Sequence, residues 1–522
     1  MTNFSKIHLQ ALFSKELPFD PIKENYTRQV NNSFGSYVQT KIPSKPTLIH
    51  KSDLFLKELD LEIDNEKEFL EIVSGAKSFK DFKSYAMCYG GHQFGNWAGQ
   101  LGDGRAINIA ETEIDGKNWT FQLKGAGPTP YSRGADGFAV LRSSIREYLC
   151  SEAMHALGVP TTRALSLVLT GDEVSRDMLY NGNPADEKGA IVCRVSPSFI
   201  RFGNFEIFTS RQELDELKQL VDFTITNHYP ELGEPNKENY LKFFAEVAKR
   251  TGEMIVHWQR VGFVHGVMNT DNLSILGLTI DYGPYGWLED YNPDWTPNTT
   301  DSSHRRYRFG NQPNIALWNL TQLANAIYPL VDEAEPFNEI LTNFKNEFEH
   351  NYQLMLASKI GLKSITKETI QLNIDLLDLM KKSELDMTIF YRELVEFDIQ
   401  KPFNHLTKIK SSSYLSSQHF DDMEIQWKSW LNSYSDLLKK ENIDEEERKE
   451  SMNKVNPKYV LRNWMAQMAI DDADKGNYKL IDELYQLLLK PYDEQADMNK
   501  WFAKRPDWAK EKIGCSMLSC SS

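Results

Sequence analysis

Two short polar stretches lie close together near the middle of this 522-residue chain, HGVMNTDN at 265–272 and IDYG at 280–283. Asn272 and Asp281 supply the hard oxygen ligands that Mg²⁺ (or Mn²⁺) prefers, and Asp271 supplies a carboxylate that can accept a proton. An Asx turn or a helix cap is the alternative interpretation of TDN. His265 is expected to position the loop, because no His or Cys spacing in the chain is typical of a zinc site.

A glycine-rich segment, YGGHQFGNWAGQLGDGRA at 89–106, places six glycines between two candidate strands. Glycines let backbone N–H groups approach phosphates without a Cβ clash, so Gly102 and Gly104 are candidate phosphate-binding positions. Arg105 follows them directly and adds a positive charge for phosphate. An irregular surface turn would use the same glycines, so the segment alone leaves both interpretations open.

Charged residues follow in an order that suggests a polyphosphate site. Lys124 ends a predicted strand and Glu147 lies in the following predicted helix, and such a pair orients phosphates in kinases. Glu152 is the second candidate partner for Lys124. Arg194 and Arg201 lie seven residues apart among apolar residues, and two guanidiniums suit a polyphosphate. Lys124 and Glu147, taken alone, would more often be solvated surface side chains, and ordinary ion pairing is the alternative role of the two arginines.

The order of predicted elements indicates the fold. A glycine loop, strands at 105–111 and 118–125, a helix at 138–157 and two further strands form the order of a protein-kinase small lobe. Those two strands are predicted at 159–171 and 189–196, and a long amphipathic helix at 240–260 ends directly before the 265–272 loop. We therefore predict an α+β, protein-kinase-like two-lobe fold with an additional N-terminal segment and a helical C-terminal extension.

The loop departs from the kinase pattern at one position. Kinase catalytic loops read H-R-D-x-x-x-x-N, and Val267 occupies the place of their base Asp. An Asp instead adjoins Asn272, as Asp271. The chain is therefore either a catalytically inactive kinase or an enzyme that binds ATP in a different orientation and catalyses another reaction.

The chain is too long for one ordinary domain. We predict an N-terminal extension at 1–84, a small lobe at 85–205, a helical large lobe at 206–400 and a helical C-terminal extension with a Cys-containing tail at 401–522. Smaller predictions are a strand at 36–42, a hairpin at 273–283 ending at Asp281, a solvated helix end and connection at 439–450, and helices at 314–329, 335–358, 367–382, 423–440, 457–473 and 478–489.

Charge and cysteine content limit the partners. The chain has 59 basic and 74 acidic residues, a net charge of −15, which repels nucleic acid and anionic lipid. We therefore expect no nucleic-acid and no membrane partner, and a local basic cluster must hold any bound phosphate. Five Cys residues are sparse and the first residues lack a signal or transit pattern, so a cytoplasmic location is expected.

The motifs together resemble one family, the selenoprotein O family of protein adenylyltransferases, whose fold is kinase-like. The matching segments span residues 85 to 522 and are GGHQFGNWAGQLGDGRA, QLKGAGPTPYSR, ADGFAVLRSSIREYLCSEAM, HGVMNTDN, TIDYGPYG, NPKYVLRNWMAQMAI and the terminal SCSS. The resemblance implies that ATP binds flipped, so that AMP rather than the γ-phosphate passes to Ser, Thr or Tyr hydroxyls of proteins, including the enzyme itself. UMP transfer from UTP is a second option, because no residue in the sequence can be identified as a contact that selects the nucleotide base.

The resemblance also implies roles for individual positions. Asp271 would be the proton acceptor, Glu147 would pair with Lys124, and Asn272 and Asp281 would bind the metal. The expected nucleotide contacts are Gly102, Gly104, Arg105, Lys124, Asp136, Gly137, Arg194, Arg201 and Asp281. Two alternatives remain, a protein kinase with an atypical base and a non-catalytic nucleotide-binding scaffold.

One departure from the family concerns the C-terminal tail, IGCSMLSCSS. Many bacterial relatives carry a Cys after the metal-binding strand, where this chain has Thr296–Pro297, so a disulfide from that segment to the C-terminus is not expected here. Cys520 occupies the place of selenocysteine in many eukaryotic members. Cys515 is its nearest candidate partner, and the tail is expected to be exposed.

Overall fold

A computed structural model describes residues 1–178, 182–515 and 517–519. It has a mixed α/β fold in which an eight-stranded antiparallel sheet packs against many helices. The strands of this sheet are Gly35–Tyr37, Thr47–Lys51, Tyr85–Met87, Ala106–Ile114, Lys117–Lys124, Ala139–Val140, Arg163–Arg176 and Ala185–Ser196. The α+β class predicted from the sequence is confirmed at this level.

The centre of the sheet consists of the strands predicted from the glycine-rich region. Ala106–Ile114 and Lys117–Lys124 form a hairpin whose turn, Asp115–Gly116, has positive φ at both residues, as a tight antiparallel turn requires. Lys117–Lys124 then pairs with Ala185–Ser196, which pairs with Arg163–Arg176. The result places the end of the Lys124 strand beside Arg194, because Val192 lies opposite Lys124 and Gln122 lies opposite Arg194.

The first 84 residues contribute strands to the same sheet. Gly35–Tyr37 pairs with Tyr85–Met87 at one end, and Thr47–Lys51 pairs with Arg163–Arg176 at the other. The strand predicted at 36–42 is thus present only at its start. The four predicted domains and the three boundaries between them remain predictions.

Among the described residues, four α-helices come before the last strand of the sheet in the chain, and thirteen follow it. They are Leu12–Glu16, Asp53–Glu58, Glu66–Val73, Leu141–Ala156, Phe202–Arg211, Leu214–His228, Lys237–Val261, Gln312–Val331, Ala334–Lys359, Lys367–Lys382, Met387–Glu393, Leu406–Ser412, Ser417–Asp421, Glu424–Glu441, Glu445–Val455, Asn463–Asp474 and Lys479–Leu488. Three pairs of two-residue strands lie outside the main sheet: Thr2–Asn3 with Leu61–Glu62, His92–Gln93 with Asn96–Trp97, and Phe263–Val264 with Gly286–Trp287. Within the described ranges, no helix is both long and apolar enough to cross a bilayer.

Most predicted helices are confirmed, with two corrections. The helix predicted from 457 begins only at Asn463, because the backbone N–H groups of Lys458 and Tyr459 both donate to the carbonyl of Pro491 rather than to a preceding turn. At 439–450 a helix end and a short connection are present, as predicted, but a second helix resumes at Glu445.

The predicted hairpin at 273–283 is reduced to a single bridge between Leu273 and Thr279. Asp281 at its end lies outside any strand and adopts a left-handed φ of 56°. Asp tolerates this region better than most residues do, and the conformation turns its side chain away from a regular strand path.

Candidate active site

A cleft of about 790 Å³ opens beside the end of the Lys117–Lys124 strand. The glycine-rich segment, the 128–138 loop, the 267–272 loop and the 281–284 turn contribute to its walls. The predicted site residues that line it are Gly102, Gly104, Arg105, Lys124, Asp136, Gly137, Arg194, Arg201, Asp271, Asn272 and Asp281. Glu147 lies behind them, buried in the Leu141–Ala156 helix.

A buried charge network forms the floor of the cleft. The ammonium group of Lys124 lies 2.7 Å from a carboxylate oxygen of Glu147 and 3.8 Å from Asp281. Arg194 contacts Glu147 at 3.0 Å and also donates to Asp281. Glu152, the second candidate partner of Lys124, instead pairs with Arg163 at 2.8 Å. Burial lowers the pKa of Lys124, although Glu147 acts in the opposite direction.

Asp281 accepts from both arginines, Arg194 on one oxygen and Arg201 on the other. Its burial would raise the pKa of this carboxyl group, but the charges of Arg201, Arg194 and Lys124 outweigh burial and hold the pKa well below its usual range. Asp281 is therefore ionised at neutral pH.

Asp271 has a different environment although it lies in the same cleft. One of its carboxylate oxygens accepts a hydrogen bond of 3.2 Å from Nε2 of Gln93. The other, Oδ1, is buried and has no hydrogen-bond partner among the described residues. Burial raises the pKa of Asp271 to about 7, although Arg201 and Gln93 act in the opposite direction. The free oxygen is suited to accept a proton.

The hairpin His92–Gln93 and Asn96–Trp97, which carries Gln93, is bound to the loop around Asp271. The backbone N–H of His92 donates to Oγ1 of Thr270 at 2.7 Å, and the hydroxyl of Thr270 donates to Glu206. His92 also contacts Glu206 through Nδ1 at 3.1 Å. These contacts fix the hairpin over the residue that adjoins Asp271.

A second set of contacts holds the tip of this hairpin. The backbone N–H of Phe94 donates to Oδ1 of Asn269 at 3.1 Å and to the hydroxyl oxygen of Tyr307 at 3.0 Å. The rings of Phe94 and Tyr307 lie 5.4 Å apart. No sequence motif marks Gln93 or this arrangement, because only the folded chain brings residues 92–97 onto residues 269–271.

His265 has a structural role, as expected. Its Nε2 lies 2.9 Å from the carbonyl oxygen of Ile280, and its Nδ1 accepts from the backbone N–H of Val267. The ring also stacks on Trp258. His265 thereby ties the 265–272 loop to the residue before Asp281, and burial lowers its pKa, which keeps the imidazole neutral.

At two of the predicted glycine positions, packing and backbone conformation also require glycine. Gly102 has a φ of 83° and a Cβ there would overlap the side chain of Tyr131. Gly137 has a φ of 77° and a Cβ there would overlap the backbone of Gly127 and Pro128. Any side chain at either position would therefore disturb the cleft wall, and the phosphate role of these glycines remains a prediction.

Asp136 lies at the rim of the cleft. It receives two hydrogen bonds from Arg176, at 2.6 and 2.8 Å, and one from the backbone N–H of Phe138 at 3.0 Å. Burial acts to raise the pKa of Asp136, but the contacts with Arg176 and Phe138 and the charge of Arg105 together outweigh it, and the pKa is lowered. Arg176 was not predicted, since it comes from a distant strand and no local motif marks it.

The residues present fit a hard divalent cation. Asn272 donates through Nδ2 to the carbonyl of Val267 at 3.0 Å, so its side-chain carbonyl oxygen remains an acceptor, and Asp281 is ionised beside it in the same cleft. Among the residues that the structure describes, no group of three or more His, Cys, Asp and Glu side chains is arranged to hold a metal. Mg²⁺ bound by Asn272 and Asp281 would therefore need phosphate or water oxygens to complete its coordination.

The C-terminal tail was expected to be exposed; this expectation is wrong for Cys515 and Leu518, whereas Ile513 and Met517 are exposed. Leu518 is buried, its N–H donates to the carbonyl of Pro297 at 3.2 Å, and its carbonyl accepts from the N–H of Thr299 at 2.8 Å. Cys515 is also buried, and its carbonyl accepts from Asn463 at 2.8 Å. Backbone pairing with the 297–299 segment accounts for this docking, while Cys520 and any bridge to Cys515 lie outside the described residues.

Comparison with known proteins agrees with these features. Residues 21–489 match the family model described as protein adenylyltransferase SelO. A protein from Flavobacterium johnsoniae named protein nucleotidyltransferase YdiU is 57% identical over 517 residues, covering 98% of both chains. A protein of the same name from Rhodopirellula baltica is 51% identical over 530 residues, again covering 98% of both chains. The chain therefore belongs to the enzyme family of SelO protein adenylyltransferases.

Proposed function

We propose that this protein transfers AMP from ATP to Ser, Thr or Tyr hydroxyl groups of proteins and releases pyrophosphate. The observation that carries the proposal is the placement of the acid. The position of a kinase base is Val267, which is apolar and buried, whereas Asp271 carries a buried carboxylate oxygen without a partner. A proton acceptor that lies away from the kinase position suits a reaction at the α-phosphorus of ATP, which also lies away from the γ-phosphorus that reacts in a kinase.

We infer that the chain forms a kinase-like arrangement of two lobes around the cleft. The Lys124–Glu147 pair at 2.7 Å supports it, since kinases use a strand lysine and a helix glutamate to orient phosphates. The glycine-rich segment on one wall and the loop that contains Asp271 on the other support it further.

The cations of the cleft floor would hold the triphosphate. Lys124, Arg194 and Arg201 are the cations of the floor, and Arg105 adds a fourth on the cleft wall. The carboxylates beside them are Asp281, Glu147 and Asp103, which lies 4.0 Å from Arg201. Buried cations need anionic partners, so an added phosphate group would be favourable here. Arg105, Gly102, Gly104, Asp136 and Gly137 line the same cleft and would contact the rest of the nucleotide.

Asp271 would accept the proton of the incoming hydroxyl. The hydroxyl oxygen forms a bond to the α-phosphorus, the bond from that phosphorus to the bridging oxygen of the β-phosphate breaks, and pyrophosphate leaves with that electron pair. The hydroxyl proton passes to Oδ1 of Asp271, the oxygen without a partner. Gln93 holds the other oxygen, so the carboxylate is oriented before the substrate arrives.

Asn272 and Asp281 would hold a divalent cation, Mg²⁺ or Mn²⁺. Such an ion, when bound, offsets negative charge on the phosphates. Asp281 is held ionised by Arg194, Arg201 and Lys124, so protonation does not compete with cation binding near neutral pH.

The proposal is tested by comparing label transfer from α- and γ-labelled ATP to protein, including the enzyme itself. AMP transfer moves only the α-label, and mass spectrometry should find AMP on hydroxyl side chains. Transfer of the γ-label would restore a kinase with an atypical base, and transfer of neither label would favour a non-catalytic nucleotide-binding scaffold. Repeating the assay with α-labelled UTP measures whether UMP is also transferred.

A further inference from the structure

We infer that a partly exposed strip beside Asp271 docks the protein substrate and selects segments that carry a carboxylate near the modified hydroxyl. The strip consists of Trp97, His92, Trp318 and Arg306. This inference rests on the proposed function and names the substrate class for the same site.

The strip is continuous on the outer side of the 92–97 hairpin. The ring of His92 lies 5.2 Å from the ring of Trp97 and 5.5 Å from that of Trp318. The guanidinium of Arg306 lies 4.6 Å over the ring of Trp318. Trp97 is 40% exposed, which is unusual for so large an apolar side chain. Tryptophan and arginine are the residue types most enriched at protein-binding hot spots.

Arg306 is held in place beside the buried Asp301, the acid that interacts with its charge. Its backbone N–H donates to Asp301 at 2.9 Å, and its guanidinium packs against Gly95 and Trp318. Its Nε atom is buried and has no hydrogen-bond partner, and no described carboxylate forms an ion pair with its guanidinium. By contrast Arg308, two residues on, pairs with Asp294 at 3.4 Å.

Arg305 and Arg306 follow one another in the chain on a protein whose net charge is −15. His304 and Arg305 are exposed directly before it, while Asp301 is buried and its carboxylate is occupied by the backbone N–H groups of residues 306 and 307. A basic patch on an acidic surface selects anionic partners and repels basic ones.

The position of Arg306 favours a protein ligand over the nucleotide. Arg306 does not line the cleft that holds Lys124 and Arg194, because the 92–97 hairpin lies between them. Gln93 contacts Asp271, and Gly95, two residues on in the turn of the same hairpin, contacts Arg306, so the docking strip begins within one short turn of the proposed base. A substrate carboxylate would therefore lie about two to four residues from the hydroxyl in an extended segment.

The test uses synthetic peptides with one Thr, flanked at two to four residues on either side by Glu, by Gln or by Lys, and α-labelled ATP. We expect kcat/KM for the Glu peptides to exceed that for the Lys peptides at least about 10-fold. Arg306→Glu should reverse this preference, and Arg306→Lys should keep its direction. Arg308→Glu is the matched control, with the same charge change two residues away, and should keep the wild-type preference.

Binding of a non-hydrolysable ATP analogue and the melting temperature of each variant show whether the cleft and the fold survive. Equal transfer to Glu and Lys peptides by the wild type, or an unchanged preference in a folded Arg306→Glu variant, would overturn the docking inference alone. Labelling of the enzyme itself but of no peptide would also overturn it. Absence of AMP from both the peptides and the enzyme would instead overturn the proposed function.

Discussion

Gln93 donates a hydrogen bond of 3.2 Å to one carboxylate oxygen of Asp271, whose other oxygen is buried without a partner. Gln93 comes from the glycine-rich segment, and Asp271 comes from the 265–272 loop. Their contact gives the two oxygens of one carboxylate different tasks, one for orientation and one for proton transfer.

Replacing Gln93 with Met should lower kcat and leave ATP affinity unchanged. A hydrogen bond to a charged group contributes about 1.5–3 kcal/mol, which corresponds to a roughly 10- to 100-fold loss of kcat. Steady-state AMP transfer and nucleotide titration measure the two quantities. Asn96→Ala is the control on the same hairpin, because the Asn96 side chain is exposed and donates to the carbonyl of Phe94 at 3.4 Å and not to Asp271.

If Gln93 acts only through Asp271, Gln93→Met should have no further effect in an Asp271→Ala background. A Gln93 variant with wild-type kcat, or with a large loss of ATP affinity, would refute the positioning role.

AMP transfer should rise with pH through about 7. Burial raises the pKa of Asp271 to about 7, so the carboxyl group is largely protonated below that pH and cannot accept the hydroxyl proton. The pH profile of kcat/KM reports the free enzyme, and it should level off above the pKa. Asp271→Asn should lower kcat more than ATP affinity and abolish this rise of activity with pH. A rise of kcat/KM centred near pH 4, or activity that falls as the pH increases through 7, would count against Asp271 as the base.

Asp281→Ala and Lys124→Ala should abolish AMP transfer while the protein stays folded. Both side chains face the charge cluster that would hold the triphosphate, and loss of one charge from such a site typically costs about 10²-fold or more. Asp281→Asn keeps an acceptor for Arg194 and Arg201, and thus separates loss of charge from loss of packing. Lys381→Ala, at an exposed lysine paired with Asp294, serves as the control.

Melting temperatures verify folding of these variants. Full activity in a folded Asp281 variant would end its assignment as a metal ligand.

Reductant should change the activity of the wild-type protein only weakly, and Cys520→Ser should behave like the wild type. The tail already docks through backbone hydrogen bonds from Leu518 to Pro297 and Thr299, so its described part does not need a disulfide to reach this segment. AMP transfer with and without reductant, for both proteins, measures the effect. A large reductant response that disappears in Cys520→Ser would show redox control and contradict this expectation.

The sequence alone determined the local elements and the identity of the chemical groups. Alternation predicted strands at 105–111 and 118–125, which the structure has as Ala106–Ile114 and Lys117–Lys124. Helical periodicity predicted helices at 138–157 and 240–260, which the structure has as Leu141–Ala156 and Lys237–Val261, because these signals arise between neighbours in the chain. The motifs also singled out Lys124, Glu147, Asp271 and Asp281 before any contact between them was known. Their catalytic roles remain predictions.

Only the tertiary structure decided which of these groups meet and in what electrostatic state. Asp271 and Asp281 are both aspartates of one short region, yet burial raises the pKa of the first while three cations from other elements lower that of the second. The contacts of Gln93 with Asp271 and of Arg306 with Trp318 join segments that are far apart in sequence, and no local pattern encodes them. Periodicity reports neighbours along the chain, whereas a site depends on distances that exist only after the sheet and helices have packed.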